Sequence, residues 1–495
     1  MKHILYKIGS TVLVLTLLCT SCSDEFLETT PTESISQDTA TSTVTNLNVI
    51  INGIHRSLYQ RYESQQQGGL GCLMIAMDVL GEDYVMTGAA NGWFNGFYRW
   101  IDHRNENDID NEFPFDIYYG IIRNANSIII NIDNAVGAQE EKNAVLGQAL
   151  FYRAFSHYQL VQLYGERYKE EGNNQQPGIP LRIDLSSDPL PRASVEDVYV
   201  QVNRDLDDAI AVLTDSRNNN SHINRSVALG LKARVALTQG RWQIAVDNAQ
   251  EARDGFPLMS NSDYFSGFND FSNQEWMWGS DIVEDQTIFF ANYGAYISRN
   301  FSSSNIRGNP KAINSALYDQ IPSTDIRSKV FDPTGEHDSL PGGITISSRH
   351  RRREYTSQKF LSAGTGDSRL DVPYMRAAEM YLIEAEALAR LGQDTNAAQV
   401  LFELASNRDS EYTLSSNTGQ DLIEEIWIQR RWELWGEGFR FLDLKRLNLP
   451  LDRTGANHST TLTQNILEVP AGDPRWQWAI PIDAINANPL LTPNP

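Results

Sequence analysis

The stretch that decides the predicted fold is V-P-Y-M-R-A-A-E-M-Y-L-I-E-A-E-A-L-A-R-L-G, from Val372 to Gly392. Within it and just beyond it, three small residues stand at Ala385, Gly392 and Ala397. Alanine where two antiparallel helices cross lets the helices approach closely, and glycine opens the turn between them. The spacing therefore predicts a pair of antiparallel helices joined near Gly392.

The same offsets of seven and twelve residues occur earlier in the chain, at Ala233, Gly240 and Ala245. The match to the small-residue positions of a tetratricopeptide unit continues at Ala249, Ala252 and Pro257. Small residues coincide by chance in any alanine-rich helix pair, but the matched offsets favour a repeat. The two segments are therefore predicted to be tetratricopeptide-like helix pairs.

Helical periodicity dominates the chain before these pairs. One helical face is formed by Leu47, Ile50, Ile51, Ile54, Leu58 and Tyr62. Further helices are predicted over 115–132 and 143–164. Ser194 is predicted to be the N-cap of a helix over 195–213, with Asp197 in the capping-box position.

Two segments interrupt this pattern. Residues 261–355 are rich in Gly, Ser, Asn, Pro and aromatic residues and lack a sustained helical period, and residues 81–107 form a second such excursion. Segments of this length are too long for plain loops, so they are expected to be functional, with short strands and turns. The predicted fold class is all-α, a tetratricopeptide-like helical-repeat scaffold with long irregular aromatic-rich loops.

The N-terminus predicts export. Lys2 and Lys7 supply positive charge, Ile8 to Leu18 is apolar but too short to span a bilayer stably, and small residues lead to Cys22. A cysteine at that position looks like a bacterial lipobox, whose acyl chains would anchor the protein. The alternative is an ordinary secretory leader that happens to contain Cys22. The residues after it up to about Ser42 are rich in Thr, Ser and Pro and suit a tether.

The charge and the cysteines exclude several classes of function. The formal net charge is −22, and removal of 1–21 leaves 39 basic against 63 acidic residues, a balance unsuited to nucleic acid. With Cys19 removed and Cys22 modified, Cys72 stands alone, so no disulfide within one chain is expected. The eight histidines show no H-E-x-x-H spacing. No cofactor and no metal site are predicted.

Several motifs occur in the order known from one family. They are S-C-S-D-E-F-L (Ser21 to Leu27), A-L-F-Y-R-A-F-S-H-Y-Q-L-V-Q-L-Y-G (Ala149 to Gly165), P-L-P-R-A-S-V-E-D-V-Y (Pro189 to Tyr199), the stretch from Val372 to Gly392, R-R-W-E-L-W-G-E-G-F-R-F-L-D-L-K-R (Arg430 to Arg446) and W-A-I-P-I-D-A-I-N-A-N-P (Trp478 to Pro489). In this order the chain resembles the SusD/RagB-like nutrient-binding lipoproteins of Bacteroidota over almost its whole length.

The resemblance implies a SusD-like fold and a place at the cell surface. The chain has no G-x-S-x-G motif and no P-loop, so no enzymatic activity is predicted. A protein of this family is held in the outer membrane by its lipid anchor alone and caps a TonB-dependent SusC-like transporter, to which it delivers a glycan. The resemblance also implies an organisation, namely a signal peptide (1–21), a lipid anchor and flexible tether (22–42), an N-terminal helical region (43–260) and a C-terminal region (261–495) whose ligand loops span 261–355. Some relatives take peptides, so a peptide-binding or protein-scaffolding lipoprotein is the alternative.

The candidate glycan-binding residues lie in the two excursions. A sugar offers an apolar C–H face and a rim of hydroxyls, so its site needs aromatic platforms flanked by polar side chains. The candidates are Trp93, Phe94, Trp276, Trp278, Tyr293, Tyr296, Asn300 and Arg307. Trp276 and Trp278 are two residues apart and would share one face of a strand, which is either a sugar platform or a buried sheet face. Tyr293 and Tyr296 are expected at the rim because each carries a hydroxyl.

Two further features of the sequence allow more than one interpretation. The basic run Arg349-His350-Arg351-Arg352-Arg353 would suit an anionic ligand or an acidic patch of a partner, although a solvated hairpin is the more usual outcome for such a run. Catalysis would need a pair of carboxylates, and a second carboxylate about 5–10 Å from Glu275 across an open cleft would indicate a glycoside hydrolase.

Overall fold

The structure is a computed structural model and describes residues 37–286, 288–337 and 344–495. The predicted signal peptide, the lipidation site Cys22 and the tether up to residue 36 lie outside the described residues. Within the described ranges, none of the helices combines the length and the apolar character that crossing a membrane requires.

Long helices form most of the described chain. They are α1 (Val44–Ser57), α2 (Gly69–Leu80), α3 (Ile109–Asn131), α4 (Gln139–Tyr164), α5 (Val195–Val212), α6 (Arg225–Gln239), α7 (Trp242–Ala252), α8 (Ala377–Arg390), α9 (Asp394–Arg408), α10 (Gly419–Glu433) and α11 (Arg440–Leu447). Shorter helices span Gln37–Thr41, Asn95–Tyr98, Asn261–Tyr264, Tyr293–Ile297, Ser304–Gly308, Ser315–Tyr318, Ile326–Lys329, Thr460–Thr463 and Ile482–Ala487. Single turns of 3₁₀ helix span Asp102–Arg104, Glu284–Gln286 and Pro474–Trp476.

The two predicted helix pairs are confirmed. Helices α6 and α7 form one pair and α8 and α9 the other, and α7 packs against α8. Ala233, Ala245 and Ala385 are fully buried in these packed helices. Gly240 follows α6 with φ +70°, a left-handed conformation that glycine adopts at no steric cost. The spacing of small residues in the sequence therefore marks the positions where these helices pack closely.

The predicted cap of α5 is also confirmed. The Ser194 hydroxyl accepts a hydrogen bond from the Asp197 N–H at 3.0 Å, and the helix begins at Val195. The predicted helices over 115–132 and 143–164 are both present and begin a few residues earlier, at Ile109 and Gln139. Asp108 caps the first of these by accepting from the Asp110 N–H, a cap that helical periodicity alone does not reveal.

Short β-strands occur in the segments between the helices. They are β1 (Tyr84–Met86), β2 (Pro177–Pro180), β3 (Arg192–Ser194), β4 (Trp276–Ser280), β5 (Lys311–Ile313), β6 (Phe331–Asp332), β7 (Thr356–Ser357), β8 (Val372–Arg376), β9 (Leu451–Asp452) and β10 (Glu468–Val469). The largest sheet has the order β1-β5-β7-β6, and three two-stranded sheets pair β2 with β3, β4 with β8 and β9 with β10. The strands are minor elements, so the all-α prediction is confirmed.

The core is one large apolar cluster that runs through both helix pairs and the irregular half. A small second cluster of Ala295, Phe301 and Ile306 lies in the excursion between α7 and α8. The excursion therefore has a packed base of its own.

Candidate functional site

Residues 87–94 leave β1 and run beside residues 302–310, which lead into β5. Strands β1 and β5 are antiparallel, with Met86 opposite Lys311, so both segments meet at the same end of this strand pair. The buried Asn309 side chain accepts the N–H groups of Thr87 at 2.9 Å and Gly88 at 3.2 Å. These hydrogen bonds hold the loop in one position against the sheet.

A tight turn then places Trp93 at the surface, partly buried against the core. The Gly92 N–H donates to the Ala89 carbonyl at 2.8 Å, and both Gly92 and Phe94 have positive φ, +91° and +63°. The Phe94 N–H donates to the Gln66 side-chain oxygen, and its ring is buried. Trp93 is left half-buried at the surface.

Tyr296 supports this turn from below. The rings of Trp93 and Phe94 each lie 5.4 Å from the Tyr296 ring in an edge-to-face arrangement, which is favourable for aromatic pairs. The Tyr296 hydroxyl donates to the Gln65 carbonyl at 2.6 Å and accepts from the Ala291 N–H at 3.2 Å. Tyr296 therefore connects the Trp93 turn to the segment around Ala291.

Two exposed aromatic residues precede Ala291. Phe289 is 51% exposed and Phe290 is 37% exposed, and their rings pack edge to face at 4.5 Å. The Phe289 ring also contacts the buried Phe301 ring at 4.9 Å. We call the group of Trp93, Phe289, Phe290 and the underlying Tyr296 the Trp93 face. The sequence reasoning missed both phenylalanines, although two adjacent apolar residues inside a polar excursion were a usable signal.

Polar side chains border the Trp93 face. Asn91 and Ser304 are exposed, and the Ser304 hydroxyl donates to the Asn91 side-chain oxygen at 3.0 Å. Arg307 is half-buried and donates to the Ser302 carbonyl at 2.5 Å. Exposed aromatic rings beside hydroxyl, amide and guanidinium groups form a surface suited to a sugar ring and its hydroxyls.

The structure corrects the expectation for Trp276 and Trp278. Both side chains are 1% exposed and offer no platform to a ligand. The Trp278 ring packs at 5.4 Å from Phe151 and 5.3 Å from Phe155 on α4, because β4 lies on that helix rather than at the surface. The buried-face interpretation of this pair is the correct one.

The expectations for Phe94, Tyr293, Tyr296 and Asn300 are corrected in the same way, because all four are buried. The Tyr293 hydroxyl donates to the Gly436 carbonyl at 2.7 Å, so it is not a rim group. Asn300 exchanges hydrogen bonds with the Ser362 backbone at 2.8 and 2.9 Å. These residues support the surface from below, and among the predicted residues Trp93 and Arg307 reach it.

Glu275 lies in a buried ion-pair network rather than in an open cleft. The network, which we call the Arg376 network, consists of Glu275, Asp325, Arg327, Lys359, Arg376, Arg408, Glu433 and Glu437. Glu275 is 0% exposed and accepts from Arg376, from Arg408 at 2.8 Å and from the Met259 N–H at 2.7 Å. The criterion for a hydrolase is therefore not met at Glu275.

Comparisons with known proteins bear on the whole chain. Residues 25–237 match a SusD-like family described as starch-binding and associating with the outer membrane, and residues 330–495 match the SusD family. The chain belongs to the SusD/RagB-like family. The two matched ranges leave out residues 238–329, which carry Phe289 and Phe290.

Full-length relatives of the SusD/RagB-like family agree with the fold. The chain is 27% identical to SusD-like protein P2 of Formosa agariphila, over 91% of this chain and 92% of that protein. A SusD-like carbohydrate-binding protein from Bacteroides vulgatus superposes with a TM-score of 0.79 at 24% identity, covering 91% of this chain and 97% of the other. A laminarin-binding SusD-like protein superposes with a TM-score of 0.70 at 18% identity, covering 92% and 99%. The expected SusD-like fold is confirmed.

Proposed function

We propose that this protein binds an oligosaccharide at the Trp93 face and delivers it to a TonB-dependent SusC-like outer-membrane transporter. The observation that carries the proposal is the exposure of Phe289 and Phe290, which directly precede Ala291, a residue hydrogen-bonded to the Tyr296 hydroxyl beneath the half-buried Trp93. A soluble protein buries most large aromatic side chains, so an exposed group of them on a positioned loop points to a ligand surface.

The surface suits a sugar for a physical reason. The apolar C–H face of a pyranose covers an aromatic ring and removes it from water, while its hydroxyls reach the polar border formed by Asn91, Ser304 and Arg307. The supporting contacts of Tyr296 and Asn309 fix the loops before ligand arrives, so little ordering is required on binding. The laminarin-binding relative supports a glycan as the class of ligand.

The function is tested by electrophoresis of the purified protein in native gels, each containing one polysaccharide from a panel of glucans, xylans, galactans and uronate polymers. We expect retarded migration in at least one gel relative to a gel without polysaccharide. Unchanged migration in every gel, together with binding to a peptide library, would favour the alternative of a peptide-binding or protein-scaffolding lipoprotein.

The proposed location is the cell surface, with Cys22 as the lipidated residue. Cys22→Ala should move the protein from the membrane fraction to the soluble fraction, because several acyl chains provide an effectively permanent anchor. Labelled palmitate should be incorporated by the wild type and not by the variant, and gentle detergent should co-purify the wild type with a large TonB-dependent barrel. A soluble, unlabelled wild-type protein would contradict the anchor, and recovery as a free monomer would contradict the partnership.

A further inference from the structure

A group of arginines without ionic partners lies next to the Trp93 face. Arg349, Arg351, Arg352 and Arg353 are exposed, and within the part of the chain that the structure describes none of them forms an ion pair. We call these four residues the basic segment. The formal net charge of the chain is −22, so the basic segment is a local exception to a strongly acidic protein. Like charges this close repel one another, and an anionic ligand would relieve that repulsion.

Buried contacts hold the basic segment in place. The Arg299 side chain is 1% exposed and lies beneath the segment. Its guanidinium donates to His350 Nδ1 at 2.9 Å, to His337 Nε2 at 3.0 Å and to the Arg351 carbonyl at 3.3 Å. A solvated hairpin would not have this buried hydrogen-bonded base, so the segment is positioned rather than free.

The basic segment is continuous with the Trp93 face. The Arg351 N–H donates to the Arg307 carbonyl at 2.9 Å, and Arg307 borders the face. The Arg351 guanidinium lies 3.2 Å from the place that a Cβ on Gly88 would occupy, above the loop that carries Trp93. A saccharide chain lying on Trp93 would therefore pass beside Arg307 and Arg351.

The electrostatic environment of His350 agrees with a positive potential here. Burial, together with the guanidinium groups of Arg299, Arg307 and Arg352, lowers the pKa of His350 to about 4. Cations that disfavour a further positive charge favour a negative one at the same place.

From these contacts we infer that the ligand of the Trp93 face is an acidic polysaccharide, whose carboxylate or sulfate groups are held by Arg351 and its neighbours. This inference rests on the proposed function. The planar guanidinium group matches either anion with two parallel hydrogen bonds. The acidic patch of a partner protein is the other occupant that the basic segment would suit, but the contacts of Arg351 with Arg307 and beside Gly88, both next to the aromatic Trp93 face, favour a sugar.

The inference is tested with matched probes that differ in charge. Polygalacturonate is compared with its methyl ester, and κ-carrageenan with agarose, while dextran sulfate reports charge alone. We expect wild type to bind the acidic member of at least one pair at least about tenfold more tightly than the neutral member.

The double variant Arg351→Ala/Arg353→Ala should lose at least about tenfold in that affinity, and added salt should weaken binding. Arg369→Ala, a loop arginine paired with Asp367, is the matched control and should bind as wild type does.

The outcomes separate this inference from the proposed function. Equal affinity for the neutral members, or an unchanged affinity of the double variant, overturns the acidic ligand; if Trp93→Ala still loses binding, the proposed function stands. If dextran sulfate binds as tightly as the acidic glycans and Trp93→Ala does not change the affinity, the basic segment acts only as an ion exchanger. That result also overturns the inference. Failure of every polysaccharide to bind overturns the proposed function itself.

Discussion

Arg376→Ala should lower the free energy of unfolding by about 3–5 kcal/mol, because it removes a cation that contacts three buried carboxylates and leaves the network with an excess of buried negative charge. The Arg376 guanidinium donates to Glu437 at 2.7 and 2.9 Å, to Glu433 at 3.0 Å and to Glu275. All four side chains are almost completely buried, where an uncompensated charge is costly. Urea unfolding of the purified variant measures the loss.

The Arg376 network joins segments that are far apart in the chain. Arg376 lies at the junction of β8 and α8, Glu275 lies just before β4, and Glu433 and Glu437 lie at and just beyond the end of α10. The network therefore ties the irregular half to the helix pairs. Loss of Arg376 should loosen that junction as well as lower stability, and the slope of the urea transition reports whether the unfolding remains one cooperative step.

The pH dependence of stability gives the network a second signature. Burial alone would raise the pKa of Glu433, but the guanidinium groups of Arg408 and Arg376 hold it well below its ordinary value. Burial likewise opposes the charge on Glu437, and Arg376 and Lys359 hold its pKa below the ordinary value. A carboxylate with a depressed folded-state pKa stabilises the fold above its unfolded pKa of about 4.3 and loses that contribution as the pH falls. The difference in free energy of unfolding between wild type and Arg376→Ala should therefore become smaller below about pH 4.

Arg369→Ala is the control for this prediction. Its guanidinium is one-third exposed and pairs with Asp367 at 2.5 Å and Glu284 at 3.7 Å. Exposed pairs of this kind contribute little to stability, because solvent screens them. An Arg376→Ala loss no larger than that of Arg369→Ala would show that the network does not stabilise the fold as described.

Trp93→Ala is expected to weaken glycan binding by about 1–3 kcal/mol, by analogy with aromatic stacking on nucleic-acid bases. This corresponds to roughly five- to 150-fold in Kd. Phe289→Ala should have an effect of the same sign, because Phe289 is the most exposed ring of the Trp93 face. Calorimetric titration with the polysaccharide that retards the wild type in native gels gives both affinities.

Trp242→Ala serves as the matched control for the loss of an indole. Trp242 is a half-buried tryptophan on α7, where its Nε1 donates to Glu170 at 2.9 Å, away from the irregular half. The Trp242→Ala variant should therefore bind the polysaccharide with nearly the affinity of wild type. The melting temperature of Trp93→Ala should stay close to that of wild type; a sharp fall would mean that Trp93 is a core residue and that its effect on binding is indirect.

The fold could be predicted from the sequence because its signals are local. Ala385 and Ala397 lie in two consecutive helices with Gly392 in the turn between them, and Ser194 contacts Asp197 three residues away. Close helix packing and helix capping depend on neighbours of this kind, so residue spacing alone reveals them.

The site could be predicted only in part because its burial pattern depends on distant partners. Trp93 was placed on a surface loop and reaches the surface. Tyr293 and Tyr296 have the same composition around them, yet their hydroxyls donate to carbonyls 143 and 231 residues away and the rings are buried. An aromatic, polar, irregular segment looks alike in sequence whether it forms a packed base or an exposed platform. Phe289 and Phe290 were missed for the same reason.

The Arg376 network lies beyond sequence reasoning altogether. Its central arginine contacts Glu437 and Glu275, which are 61 and 101 residues away. Glutamate side chains are ordinarily solvated, and no local pattern marks these as buried. Only the folded chain brings these side chains together. The sequence alone therefore allows a pair of hydrolase carboxylates that includes Glu275, whereas in the structure Glu275 is neutralised by Arg376 and Arg408.

The most direct test of the central claim is amide hydrogen exchange, followed by mass spectrometry, with and without the polysaccharide that retards the protein in native gels. If the Trp93 face is the glycan site, protection should increase in residues 87–95 and 288–308 and remain unchanged in the helix pairs. A competing site is the cavity of about 460 Å³ lined by Asn48, Gln148 and Arg217 between α1, α4 and the segment after α5. Protection confined to that cavity, with exchange at 87–95 and 288–308 unaltered, would contradict the claim.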